Sequence, residues 1–239
     1  MKLDDEFQPT RVLCVAAHPD DLEFSVAGSV AKWAAAGAEV FYLICTDGCK
    51  GSEDRNTTGT QIMEIRRDEQ RAAAQILGVK DVTFLDYEDG ATDVSMELRQ
   101  DIAREIRRRR PEVVFCFDPT MLYSADYGFI NHPDHRAVGQ ATIEAVYPLA
   151  RDHLTFPRLL EEGFEPHKTP VLLLMNLDKG NFAVDITETF VTKLEALGAH
   201  KSQIADMYNT EQYIHDLAET AGQKVGCSLA ESFVRIDIR

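Results

Sequence analysis

The chain has 239 residues, of which 44% are hydrophobic and 27% are charged, and its formal net charge is −15. This length suits one large domain with a buried core, so we expect a single domain over residues 1–239. The negative charge argues against nucleic acid or an anionic membrane as the main partner, because both require a positive surface. No apolar run approaches the roughly 20 residues of a membrane helix. The first residues are acidic and polar rather than those of a secretory signal, so the cytoplasm is the expected location.

Strand-like and helix-like patterns alternate along the chain. Apolar runs predict strands at residues 11–17, 39–45, 82–85, 113–117 and 171–176, a short strand at 181–186 and an edge strand within 225–234. Helical patterns lie between them, at residues 22–36, 61–77, 95–110, about 135–150 and about 189–207. This order predicts an α/β fold, a single Rossmann-like domain with a mostly parallel sheet and helices on both faces.

The loop after the first predicted strand is the first candidate site, because open parallel sheets bind ligands at the carboxyl ends of their strands. Residues 18–23 read His-Pro-Asp-Asp-Leu-Glu and begin a helix. Three carboxylates there repel phosphate and attract a cation, unlike a dinucleotide-binding loop. His18 and Asp21 are three residues apart and can converge on one face of the first turn, with Asp20 beside them. Taken alone, these carboxylates could equally serve as helix caps.

A second segment of the same kind follows the fourth long strand. Residues 131–135 read Asn-His-Pro-Asp-His and again begin a helix. Both segments belong to the same edge of the predicted sheet, so their side chains should meet. We therefore predict a metal site formed by His18, Asp21 and His135, with His132 nearby and Asp20 as a carboxylate that does not bind the metal.

At these residues the chain resembles the PIG-L/LmbE family of zinc-dependent N-acetylglucosaminyl deacetylases, and it looks nearest to the bacillithiol-type branch. The matching segments are His-Pro-Asp-Asp-x-Glu at 18–23, Arg-x-x-Glu at 66–69, His-Pro-Asp-His at 132–135, KLEALGAHKSQ at 193–203 and AESF at 230–233. The resemblance covers essentially the whole chain. It implies hydrolysis of an N-acetyl group on an N-acetylglucosamine-type sugar, releasing acetate and a free amine.

The resemblance also assigns roles to individual residues. It implies Zn²⁺ as the metal on the three predicted ligands, although the ligand set would also accept iron or another divalent metal. Asp20 would act as the general base. His132 would stabilise the tetrahedral intermediate and be oriented by Asp134. Arg66 would bind substrate hydroxyls, and His200 stands at a second substrate-binding position where some relatives have tyrosine.

Two other functions are compatible with the metal ligands. Two histidines and a carboxylate also form the triad of non-haem iron oxygenases, and a non-catalytic metal- or carbohydrate-binding module could use them as well. Neither alternative requires the extra carboxylate Asp20. The expected partner is a small N-acetylated amino sugar or conjugate, and a homo-oligomer is expected. The segment 120–130 could form a lid, a sugar platform or an oligomer contact.

Overall fold

The computed structural model describes residues 1–3 and 7–239. Its strands are β1 (Lys2–Leu3), β2 (Arg11–Ala16), β3 (Glu39–Thr46), β4 (Asp81–Tyr87), β5 (Val113–Phe117), β6 (Tyr123–Ser124), β7 (Phe129–Ile130), β8 (Val171–Met175), β9 (Phe182–Asp185) and β10 (Ala230–Asp237). Its helices are α1 (Asp21–Ser25), α2 (Ala27–Ala35), α3 (Gly59–Ile76), α4 (Met96–Arg109), α5 (Pro133–Glu144), α6 (Pro157–Glu161), α7 (Phe190–Leu197) and α8 (Met207–Gln223). A π-helical turn, Ala145–Leu149, follows α5.

The described strands other than β6 and β7 form one sheet in the order β1-β9-β10-β8-β5-β2-β3-β4. Strands β4, β3, β2, β5 and β8 are mutually parallel, and β10 runs antiparallel to β8 and β9. The parallel strands are therefore arranged as in a Rossmann fold, and the strand order reverses between β2 and β5. Ligands of such sheets bind at that reversal, so the fold directs attention to the loops after β2 and β5.

Two hydrophobic cores lie on opposite faces of the sheet. Along β2, Val12 and Cys14 point into one core, whereas Leu13 and Val15 point into the other, as the two-residue period of a strand requires. The first core is closed by residues of α1, α2, α3, α7 and α8, and the second by residues of α4 and α5. Helices on both faces of a mostly parallel sheet confirm the predicted fold class.

The structure departs from the predicted elements in three places. The predicted 22–36 helix is two helices, because Val26 leaves the helical region and the Glu231 carboxylate accepts the N–H groups of Gly28 and Ser29 at the start of α2. The helix predicted to reach 207 ends at Leu197, and α8 follows it. The last strand is not an edge strand, because β10 lies between β9 and β8.

No helix in the described ranges is both long and apolar enough to cross a membrane. The five cysteines are unpaired, and Cys14, Cys45 and Cys116 are buried in the strands, where a reduced thiol packs as a small hydrophobic side chain.

Candidate metal centre

The first segment forms a tight turn between β2 and α1. The His18 backbone N–H donates a 2.8 Å hydrogen bond to Asp21 Oδ2, which fixes that carboxylate against the strand end. Asp20 precedes α1 with a φ of 88°, in the left-handed region. This conformation costs a non-glycine residue roughly 1–2 kcal/mol, so other contacts must hold it in place.

The second segment is carried by α5, which lies directly against the end of β5. A Cβ at Gly139 would come within 2.3 Å of the Phe117 carbonyl oxygen, so this close approach requires glycine. His132 is the N-cap of α5, and its Nδ1 accepts the Asp134 backbone N–H at 3.2 Å. The small β6–β7 hairpin lies between β5 and this helix.

The three predicted ligands converge as expected. His18 Nδ1 lies 3.3 Å from His135 Nε2. Asp21 Oδ1 lies 3.0 Å from His135 Nε2, and Asp21 Oδ2 lies 3.6 Å from His18 Nδ1. Two imidazole nitrogens bound to one tetrahedral zinc ion are about 3.3 Å apart, given Zn–N distances of about 2.0–2.1 Å. The spacing of these donor atoms therefore fits a zinc-sized ion.

The hydrogen bonds on the far side of each ring support the same conclusion. His135 Nδ1 lies 3.1 Å from Asn131 Oδ1, and His18 Nε2 lies 3.1 Å from Asp134 Oδ2. Because an amide oxygen and a carboxylate only accept, the ring proton of each histidine belongs on that far side. With both rings neutral, the remaining lone pairs of His18 and His135 face each other, which is unfavourable unless a cation lies between them.

The charges around His18 also favour a cation. Burial by itself would lower the pKa of His18, but Asp134, Asp21 and Asp89 together raise it to about 12. The same burial would raise the pKa of Asp21, yet the two histidines hold it well below its usual range. The carboxylates thus favour a positive charge at this position, which a divalent metal on the three predicted ligands would supply without a proton.

Asp20 lies beside this group without joining it. Its backbone N–H donates to Gln70 Oε1 at 3.0 Å, and its Oδ2 lies 3.4 Å from Arg66 Nη2. Burial raises the pKa of Asp20 to about 7, the Asp21 charge adds to the rise, and the Arg66 guanidinium opposes it. A carboxyl group whose pKa lies near neutrality can both accept and return a proton.

Asp134 contacts both His18 and His132, and its role in orienting His132 stays a prediction. Its carboxylate accepts the backbone N–H of Gly90 at 2.7 Å and contacts His18 Nε2, whereas it lies 3.9 Å from His132 Nδ1. In this geometry the Asp134 carboxylate contacts His18 more closely than His132, and the Asp134 backbone N–H is hydrogen-bonded to the His132 ring. Burial and the neighbouring His18 lower the pKa of His132, which favours the neutral ring with a proton on Nε2.

The two predicted substrate-binding residues are both buried. Arg66 is 5% exposed and donates to the carbonyl oxygens of Gly48 and Pro19 at 3.0 and 2.8 Å, so it braces the turn that carries Asp20. His200 has no exposed surface, and its Nε2 lies 3.1 Å from Glu23 Oε2. As placed, His200 has no surface with which to touch a ligand. A direct contact between either residue and a substrate stays a prediction.

Sequence reasoning missed Asp89, whose Oδ1 lies 3.2 Å from His18 Nε2. Its carboxylate is fixed by the backbone N–H of Lys50 at 3.0 Å. Asp89 follows β4 at the same sheet edge as the two motifs, so the rule that located those motifs could also have located it. The roles of Gln70 and Glu23 as buried polar neighbours of Asp20 were missed as well.

A cavity of about 330 Å³ adjoins the end of α1, and the three predicted metal ligands are not among its lining residues. Its wall includes Phe24 and Ser25 of α1, Tyr127 of the loop after β5, and Asp178 and Leu217. Helix α1 therefore links the predicted metal ligands to the cavity, because Asp21 lies at its start and its end lines the cavity. Small-molecule sites occupy about 300–1,000 Å³.

Comparison with known proteins agrees with this geometry. The family model of GlcNAc-PI de-N-acetylase, PIG-L, matches residues 13–146, which include both motifs. The diacetylchitobiose deacetylase of Thermococcus kodakarensis is 33% identical over 96% of this chain and 85% of its own length. A probable N-acetyl-α-D-glucosaminyl L-malate deacetylase of Bacillus anthracis is 30% identical over 81% of each chain.

A solved structure shares the whole fold. The N,N′-diacetylchitobiose deacetylase of Pyrococcus horikoshii, in complex with an inhibitor, superposes with a TM-score of 0.88 at 32% identity, covering 96% of this chain and 84% of the other. The matched family model, the relatives and the geometry of the two motifs lead to one conclusion. This chain belongs to the PIG-L family of N-acetylglucosaminyl deacetylases.

Proposed function

We propose that the chain is a zinc-dependent N-deacetylase that hydrolyses the acetamide of an N-acetylglucosamine-type sugar. The observation that carries this proposal is the approach of His18 Nδ1 and His135 Nε2 to 3.3 Å, with Asp21 against both rings and Asp20 beside them as a carboxylate that does not join them. The family match supports a deacetylase over an iron oxygenase or a non-catalytic binding module. Asp20 is the feature that those alternatives leave unused.

The residues divide the reaction as follows. Zinc bound by His18, Asp21 and His135 would polarise the acetyl carbonyl and increase the acidity of the attacking water. Asp20 accepts the proton of that water as its oxygen bonds to the carbonyl carbon, and it returns the proton to the nitrogen as the C–N bond breaks. The products are acetate and the free amine.

His132 would act on the carbonyl oxygen, whereas Asp20 acts on the attacking water. Its ring is half exposed, and it meets the His18 ring edge to face with centroids 4.7 Å apart. The Nδ1 atom is occupied by the Asp134 backbone N–H, which leaves the Nε2–H free to donate to the developing oxyanion. A donor in such a position lowers the barrier by about 3 kcal/mol in other hydrolases.

The substrate we favour is a short oligosaccharide of N-acetylglucosamine. The relatives of Thermococcus and Pyrococcus that match most of this chain are named for diacetylchitobiose. The cavity beside α1 would hold the sugar ring that is not hydrolysed, with Tyr127 and Phe24 as apolar surfaces and Asp178 as a partner for hydroxyl groups. Location in the cytoplasm and assembly as a homo-oligomer stay predictions.

The test is an assay of released free amine, with the metal content of the same protein measured alongside. Diacetylchitobiose, N-acetylglucosamine and N-acetylglucosaminyl malate would be compared as substrates after reconstitution with zinc, iron or cobalt. We expect amine and acetate in equal amounts, with the disaccharide preferred. Protein that binds one metal ion per chain and releases no amine from any N-acetylated sugar would contradict the proposal.

A further inference from the structure

Three polar side chains form a continuous buried chain behind the metal centre. Gln70, Glu23 and His200 each have no exposed surface. Gln70 Nε2 donates to Glu23 Oε1 at 3.0 Å, and His200 Nε2 meets Glu23 Oε2 at 3.1 Å. The other end of Gln70 accepts the Asp20 backbone N–H at 3.0 Å. This chain of hydrogen bonds therefore runs from the buried His200 to the backbone of Asp20, the proposed base.

Burial of these polar side chains costs free energy of desolvation, so stability alone does not explain why they are there. Burying a carboxylate and an imidazole removes both from water, and well-packed apolar side chains in their place are often no less stable. None of the three side chains contributes a donor atom to the convergence of His18, Asp21 and His135. Their buried hydrogen bonds instead connect α1, α3 and the residues after α7.

The end of the chain lies at the strained position of the turn. Asp20 has a φ of 88°, and a non-glycine residue persists there only when its surroundings determine the conformation. Arg66 fixes the carbonyl oxygen of Pro19 from one side at 2.8 Å, and Gln70 fixes the amide of Asp20 from the other. Gln70 is itself held by Glu23, which His200 holds in turn.

We infer that Gln70, Glu23 and His200 are positioning residues that hold Asp20 in the conformation from which its carboxylate faces the reacting water. The inference depends on the proposed function only in naming Asp20 as the base. It gives His200 a role through Glu23 that its complete burial permits. It also explains why the helix start carries Glu23, a third carboxylate outside the cluster of predicted ligands.

The first test replaces Gln70 with methionine, which keeps the length of the side chain and removes both hydrogen bonds. We expect kcat on the N-acetylated sugar to fall on the order of 100-fold, because misplacing a catalytic group by about 1 Å has that effect. The KM and the affinity for zinc, measured by competition with a chelator, should stay close to wild type. Gln75→Met on the exposed face of the same helix is the matched control and should leave all three values unchanged.

A crystal structure of Gln70→Met provides a measurement that does not depend on activity. We expect the Asp20 backbone to leave the left-handed region, or its carboxylate to move away from Arg66, while His18, Asp21 and His135 keep their arrangement. An unchanged Asp20 would overturn the inference even if the protein proved to be a deacetylase. A relaxed Asp20 in a protein without deacetylase activity would uphold the positioning role and contradict the proposed function instead.

Variants of Glu23 test the same chain from its centre and guard against misfolding of Gln70→Met. In Glu23→Gln the amide oxygen can accept from Gln70 and the amide nitrogen can donate to a neutral His200, so we expect kcat within about fivefold of wild type. Glu23→Leu interrupts the chain and should lose kcat as Gln70→Met does. A merely structural role predicts that Glu23→Leu lowers the melting temperature and leaves kcat unchanged, and that result would overturn the inference.

Discussion

The two motifs resemble each other in sequence but differ in their surroundings. The first, residues 18–23, is enclosed: Arg66 and Gln70 hold its turn, and Glu23 at its end is completely buried. The second, residues 131–135, follows the β6–β7 hairpin, where Tyr123 is 62% exposed and Ile130 is 82% exposed. One candidate metal site is thus built from an enclosed side and a side that His132 and the hairpin before it leave partly open to solvent.

This difference separates two requirements of a hydrolase. The proposed base and two of the proposed metal ligands need fixed positions, and the enclosed motif provides them. The groups that meet the substrate need access, and the half-exposed His132 and the loop before it provide that. The enclosed first motif should therefore control the rate of the chemical step. The second motif, with the loop before it, should control which substrate is accepted.

The largest effect is expected where the two sides meet, at the metal. His18→Ala and His135→Ala should each remove bound metal, because each deletes one of three convergent donors. The loss of affinity should exceed the roughly 10–100-fold cost of losing an outer partner of a ligand. Metal content after dialysis is the measurement, with His153→Ala, an exposed histidine, as the control. Near-normal content in either variant would show that this histidine is not a ligand.

The next effect separates the base from the ligands within the enclosed motif. Asp20→Asn cannot accept a proton, so kcat should fall about 10²–10⁴-fold while zinc stays bound. Asp93→Asn, an exposed aspartate, is the control. Release of zinc from Asp20→Asn would exchange the roles proposed for Asp20 and Asp21.

A smaller effect is expected at Asp89, which supports the enclosed motif from the loop after β4. Asp89→Asn weakens the acceptor of the His18 ring proton, so the affinity for zinc should fall about 10–100-fold. Chelator competition measures it directly, again against Asp93→Asn. The neighbouring Asp134 also accepts from His18, so complete loss of zinc would show that Asp89 has a more direct role.

The open side should affect the choice of substrate. Tyr127→Ala removes an aromatic wall of the cavity, and KM for the disaccharide should rise about tenfold, the effect of losing about 1.4 kcal/mol of contact. The KM for the N-acetylglucosamine monosaccharide should change little. Tyr208→Ala, an exposed tyrosine on α8, is the control. Equal increases for both sugars would place the cavity outside the substrate path.

Sequence reasoning predicted the convergence of His18, Asp21 and His135 because the signals for it are local. A strand end, a His-Pro turn and a helix start are all visible in the residues, and the parallel order of strands brings the two turns together. The partners of His18 and Asp20 were harder to predict. Asp89 and Gln70 lie far from these residues in sequence, and their contacts depend on how the loop after β4 and helix α3 pack.

The departures in the fold have the same origin. The Ala-rich pattern of 22–36 favours one helix, and its interruption at Val26 coincides with a contact to Glu231, about 200 residues later. The position of β10 between β8 and β9 depends on strand pairing, which the alternation of side chains along one strand cannot reveal. Local patterns thus predicted element types, whereas long-range polar contacts set several boundaries.

The smallest expected effect is on stability, and it examines the enclosed side through His200. Burial lowers the pKa of this histidine, but the hydrogen bond and the charge of Glu23, together with the charges of Asp20 and Glu69, outweigh it and raise the pKa above its usual value. The folded state therefore holds the proton more tightly than the unfolded chain does. The stabilisation is complete below the unfolded pKa of about 6.5 and is lost as the pH rises through the folded pKa.

His200→Gln can still donate to Glu23 but does not titrate, so it is the reference. With zinc saturating both proteins, the free energy of unfolding in urea should favour wild type most at pH 6, and that advantage should shrink towards pH 9 by at most about 1.4 kcal/mol per pH unit. An advantage that is independent of pH would mean that His200 is neutral in the folded protein, so that the buried chain holds Asp20 through hydrogen bonds without an ion pair.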